Sequence, residues 1–173
     1  MASYLIMKKI IPVYFFLFPT LSYAFCFNEA GKEYNVNPDL LEAIALKESS
    51  LIPNAVGYNK DEYTGEVSST DYGLMQINSW WFGKFSEDNV NERTVMEPCF
   101  NVKIGARILS LNFSSHGFNW NSVGAYNAGF KESGANARKA YILEIKKNLR
   151  KLRERKKSLV DYDLAERKKL VKP

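Results

Sequence analysis

Ser69-Thr-Asp-Tyr-Gly-Leu-Met-Gln-Ile-Asn-Ser-Trp-Trp81 runs from a polar turn carrying Asp71 into an apolar segment that bears two amide side chains and ends in two tryptophans. Upstream of it stands the pair Glu48-Ser49. Leu41, Ile44, Ala45 and Glu48 fall at helical spacing, so a helix here puts the carboxyl on the same face as core residues. Burial beside apolar groups disfavours the ionised form and raises a glutamate pKa, which lets the group hold a proton near neutrality and deliver it. The local alternative is a helix-end glutamate that faces water or pairs with Lys47. A tuned acid followed by a polar, tryptophan-bearing segment suits a carbohydrate cleft.

Working outward, Asn37-Pro38-Asp39 makes a strong helix start, with Asn37 as N-cap and Pro38 in the first helical position. That helix is expected to reach about Ser49, with Pro53 barring continuation. Phe27 to Tyr34 reads as a short helix before it. Residues 54–72 are rich in Asn, Gly, Asp, Ser and Thr, and Asp61 to Val67 suits a small β-hairpin. Gly73 to about Phe82 reads as short helical or mixed structure. Val102, Ala106, Leu109 and Phe113, widened by Ile104, Ile108 and Leu111, predict a buried central helix. Trp120 to Ala128 predicts another, ended by Gly129. A turn at Lys131–Gly134 leads to a last helix from about Asn136, with Tyr141, Ile142, Ile145 and Leu149 facing the core. Beyond Leu152 its apolar stripe thins into a solvated helix. The expectation is a mainly helical α+β domain over residues 25–149, with a small β-hairpin or loop lobe, and a basic tail over 150–173.

The first 24 residues read separately. Lys8-Lys9, the apolar run Ile10 to Leu21 and the small-residue end Ser22-Tyr23-Ala24 form a signal peptide, whether translation starts at Met1 or Met7. The alternative, an uncleaved anchor, is opposed by the short run and by Pro12 and Pro19. Export implies an oxidising compartment, where Cys26 and Cys99 read as one disulfide rather than two buried thiols. No metal site is expected, since the sole histidine, His116, sits in a turn and no second cysteine pair exists. The net charge of +5 belongs to the tail. Residues 144–173 hold twelve Lys/Arg against five Asp/Glu, leaving the rest at −2, so nucleic-acid binding is not implied.

Three blocks carry a resemblance. Ala45-Leu-Lys-Glu-Ser-Ser-Leu-Ile-Pro53, Gly73-Leu-Met-Gln-Ile-Asn78 and Ala125-Tyr-Asn-Ala-Gly129, in that order, resemble the lytic transglycosylases. These are lysozyme-like enzymes that cut peptidoglycan glycan strands. The resemblance implies a lysozyme-like fold, no cofactor, and Glu48 as sole acid and base. It implies supporting roles for Asp71, Tyr126 and Tyr141, and substrate contacts from Met75, Gln76, Asn78 and Asn127. Met75 and Ile77 also read as packing residues. Tyr126 is expected to reach toward Glu48 or the sugar. Trp80 and Trp81 read equally as sugar platforms or core.

Asp71 has two readings, as a cap of the turn into Gly73 or as the second carboxylate of a hydrolytic lysozyme, whose sequence pattern is also similar. A third reading of the whole chain is a non-catalytic peptidoglycan-binding scaffold. Many relatives carry a serine where Gly57 stands here. The early Cys26 and the Pro98-Cys99 pair resemble small members that accompany secretion, conjugation or pilus machines. The implied partners are therefore glycan strands and components of such a machine, in the periplasm or secreted, with no membrane span after signal removal.

Overall fold

The structure, a computed structural model, describes residues 25–170. The signal-peptide reading of residues 1–24 lies outside the described residues. Helix α1 (Phe27–Tyr34) is followed by α2 (Pro38–Ser49), where the Asn37 side chain accepts from the N–H groups of Asp39 and Leu40. The expected start and the expected end at Ser49 are both present. Ser50 and Leu51 both adopt left-handed dihedrals and the Ser50 N–H returns to Ala45, so the helix ends before Pro53 acts.

Three antiparallel strands follow in the order β1 (Val56–Lys60), β2 (Val67–Tyr72) and β3 (Ile77–Asn78). The expected hairpin exists, but residues 61–66 form its connection and its strands lie outside them. Asp61 organises that connection by accepting from the N–H groups of Tyr63 and Thr64. The register sets Gly57 opposite Asp71, and Asp71 opposite Asn78. Short helices α3 (Trp80–Lys84) and α4 (Glu92–Val95) then lead to α5 (Pro98–His116), α6 (Trp120–Ala128) and the long α7 (Ala135–Leu170).

Helix α5 runs through the core, with Val102, Ala106 and Leu109 fully buried. Its apolar stripe is narrower than expected, because Leu111 turns outward. Leu41, Ile44 and Ala45 of α2 and Tyr141, Ile145, Leu149 and Leu152 of α7 belong to the same core, with α7 packed on α2 and α6 and α5 on α1 and α6. Helix α7 crosses residue 150 without a break. Lys156 places its Nζ 2.5 Å from Asp39 Oδ1 and 2.9 Å from Glu42 Oε2, both on α2. From Lys157 onward the described side chains are exposed. Among the described residues no helix is long and apolar enough to cross a membrane. The chain is thus mainly helical with one small sheet, as the sequence implied.

Cys26 and Cys99 form a disulfide that ties the start of α1 to the start of α5 across 73 residues of chain. On the chain-entropy account, closing a loop of that length stabilises the fold by about 4 kcal/mol. Replacing both cysteines by alanine is expected to lower the urea-unfolding free energy by roughly that amount and to steepen the denaturant slope, because the unfolded chain without the cross-link exposes more surface.

Candidate active site

The three sequence blocks converge on the backbone of residues 73–76. Ser49, at the end of α2, donates its hydroxyl to Leu74 O at 2.8 Å. Asn101 of α5, fully buried, accepts from Met75 N at 2.7 Å and donates to Tyr72 O and Val95 O, each at 2.8 Å. Tyr126 of α6 donates to Met75 O at 2.9 Å. Gly73 sits at φ +74, and a Cβ there would run into the Asn101 carboxamide. The loop is therefore fixed from three helices.

Around it lies a polar cleft of about 260 Å³. Glu48, Asp71, Gln76, Asn78, Tyr126 and Asn127 all line it, together with Asn59, Ile77, Trp81 and Ile108. Glu48 is half-buried in the last turn of α2. Burial raises its carboxyl to about 7, and the nearby Asp71 charge adds a little in the same direction. Two effects oppose that rise, a hydrogen bond donated by the Tyr141 hydroxyl to Oε1 and the Lys47 ammonium. Tyr141 is itself buried in α7, and burial with the adjacent Glu48 charge keeps its phenol well above its ordinary pKa.

Several expected roles are corrected. Asp71 does not cap a turn: it lies within β2, and its carboxylate faces the cleft. Its Oδ2 accepts from Asn59 Nδ2 at 2.8 Å and its Oδ1 from Asn78 Nδ2 at 2.7 Å. Met75 does not border the cleft. Its side chain is fully buried and fills the space over Gly105, where a Cβ would meet it at 2.7 Å. Tyr126 lines the cleft while its hydroxyl donates to the Met75 carbonyl, and burial, with the nearby Glu48 and Asp71 charges, raises its pKa well above normal.

Asn78 lines the cleft, yet its amide serves the sheet, donating to Ser69 Oγ and Asp71 while its Oδ1 accepts from Trp80 N. Asn127 is exposed at the cleft edge. The tryptophans separate: Trp81 lines the cleft and stacks on Phe85, whereas Trp80 is 60% exposed beside it.

Sequence reasoning placed Ser49 in the first motif without assigning it a role, and it missed Asn59 and Asn101. Asn101 had a signal, since an asparagine inside an otherwise apolar helical stripe implies a buried, fully bonded amide. Asn59 had none, because its role depends on strand register. Among the described residues no group of three His, Cys, Asp or Glu is placed to hold a metal.

A raised carboxyl pKa couples to stability. Below about pH 4.5 Glu48 is protonated in both states, and as pH rises from there to about 7 the unfolded chain releases the proton while the fold retains it. Folding stability is lost across that window. Glu48→Gln cannot ionise, so its melting temperature relative to wild type is expected to rise between about pH 4 and pH 8, read by calorimetry.

Comparison with known proteins identifies the family. The family model described as the transglycosylase SLT domain matches residues 25–149. The chain is 41% identical over 134 residues to invasion protein IagB of Salmonella typhi, covering 77% of this chain and 80% of that one. It is 40% identical over 119 residues to a putative peptidoglycan-binding-like protein of Escherichia coli K12 (67% and 75%), and 39% identical over 123 residues to X polypeptide of Escherichia coli (69% of each). Among solved structures it is similar to an inactive mutant of the lytic transglycosylase Slt from Pseudomonas aeruginosa, at 20% identity and a TM-score of 0.49, over 74% of this chain and 21% of that one. The match over residues 25–149, with all three blocks gathered at one cleft, makes this chain a member of the lytic transglycosylase family, an enzyme of the transglycosylase SLT type.

Proposed function

We propose that the enzyme cleaves the β-1,4 bond between N-acetylmuramic acid and N-acetylglucosamine in peptidoglycan and leaves a 1,6-anhydro end. The observation that carries this reading is Glu48, half-buried in a polar cleft with its carboxyl raised to about 7. At neutral pH such a group is divided between acid and base forms, which a proton-shuttling role requires. In the first step the Glu48 proton passes to the glycosidic oxygen as the C1–O bond breaks. The muramyl acetamido oxygen supports the oxocarbenium-like C1, so no protein nucleophile is needed. In the second step Glu48, now a carboxylate, takes the proton of the muramyl 6-hydroxyl while that oxygen bonds to C1. The proton returns to its origin and no water is consumed.

Tyr141 supports the carboxylate stage, because its hydroxyl donates to Oε1 and a donated hydrogen bond favours the charged form. Asp71 contributes a negative charge across the cleft, favouring the protonated resting state of Glu48 and the positive charge developing at C1. Gln76 and Asn127 contact the sugars. Hydrolysis by Glu48 and Asp71 is the second reading, favoured by the presence of both carboxylates in one cleft. The substrate places the enzyme outside the cytoplasm, and the periplasm fits the signal-peptide reading. The sequence resemblance, and relatives named invasion proteins, support local wall opening for an envelope-spanning secretion, conjugation or pilus machine.

Mass spectrometry of muropeptides released by the mature chain tests the chemistry. Anhydromuramyl ends are expected, and Glu48→Gln is expected to lower their rate of release by about 10²–10⁴-fold. Reducing ends that vanish on Asp71→Asn would establish hydrolysis instead. The rate is expected to fall as pH rises through about 7, where Glu48 loses its proton. Tyr141→Phe removes a bond that favours the carboxylate, so it should move that alkaline limb to higher pH.

A further inference from the structure

Gly57 lies in β1 outside the left-handed region, so its backbone does not require glycine. A glycine inside a strand weakens it and commonly marks a close approach. What approaches is Gln76. A Cβ at position 57 would stand 2.8 Å from Gln76 Oε1, inside any normal contact, and 3.8 Å from Asp71 Oδ2.

Gln76 cannot readily move away. Its backbone holds φ +48, an uncommon conformation for a residue with a side chain. Its Nε2 lies 3.2 Å from Ala55 O and 2.9 Å from Gly73 O. Two carbonyl acceptors can be met only by the NH₂ end of the amide, which fixes the orientation chemically. Both N–H bonds are committed, and the group presents Oε1 alone to the cleft. That oxygen lines the same cleft as Asp71, and an acceptor with no donor of its own matches a donor from the substrate.

We infer that Gly57 is a positioning residue, leaving space for a rigid, acceptor-only Gln76 carboxamide that receives a hydrogen bond from a hydroxyl or amide N–H of the glycan. This inference rests on the glycan-cleaving reading of the same cleft and assigns Gly57 a role of its own. Any side chain at this position, serine included, would press its Cβ on the Gln76 amide oxygen.

The test is a double-mutant cycle on the mature enzyme with soluble peptidoglycan strands, comparing wild type, Gly57→Ala, Gln76→Ala and the double variant. Gly57→Ala is expected to fold with a modestly lowered melting temperature, since the strain on the Gln76 amide and its hydrogen bonds outweighs the gain from restricting the unfolded chain. It is also expected to raise KM by about tenfold, the scale of one lost hydrogen bond, with kcat changed less than about twofold. The double variant should match Gln76→Ala, because the space at position 57 no longer matters once the amide is gone. An unchanged KM in Gly57→Ala, or effects that multiply in the double variant, would overturn the inference. Wild-type enzyme that releases no cleaved glycan refutes the underlying reading, an outcome seen before any variant is compared.

Discussion

Asn101 holds a carboxamide at a depth where its helix is otherwise apolar, and each of its polar atoms is committed to backbone. An unpaired amide buried there would cost on the order of 1–3 kcal/mol per group, so its partners must come within reach whenever the helix packs. The partners are Tyr72 at the end of β2, Val95 in α4 and Met75 in the loop between β2 and β3. One side chain thus sets the height of the sheet over the central helix. Ser49 and Tyr126 act on the same loop, at Leu74 O and Met75 O. The motif around the acid, the motif around Gln76 and the motif around Tyr126 are therefore a single hydrogen-bonded unit, which is the physical reason they occur together in this chain.

On that frame two carboxyl groups are treated in opposite ways. Glu48 rises from a helix packed into the core, where loss of water outweighs the single phenolic donor from Tyr141. Asp71 stands on a strand, flanked by asparagines on both neighbouring strands, and each of its oxygens receives an amide N–H. A helix buries its residue by periodicity, whereas a sheet supplies donors through register.

The basic charge of the C-terminal segment is partly consumed inside the fold. Lys156 and Arg155 meet Asp39 and Glu42 near the start of α2, the end at which acidic side chains complement the helix dipole. Such exposed pairs contribute about 0–1 kcal/mol each, so Leu149 and Leu152 hold α7 in place and the ion pairs select its alignment. This matters for the site, because α7 also carries Tyr141 to Glu48.

The sequence by itself determined the helices and the position of the acid. Asn37 and Pro38 start α2, Gly129 follows the end of α6, and the spacing of Leu41, Ile44, Ala45 and Glu48 buries the carboxyl, all through neighbours within a few residues. Only the tertiary structure decided which groups meet. Asp71 reads locally as a turn cap, yet strand register gives it Asn59 and Asn78. Met75 reads as a packing residue that the resemblance also places at the cleft, and the small Gly105 on the central helix gives it room in the core. Tyr126 is aimed by the Met75 carbonyl and Tyr141 by Glu48, partners 51 and 93 residues away. Caps and periodicity depend on short stretches of backbone, while a side chain's partner depends on how distant elements pack, and no local pattern encodes that distance.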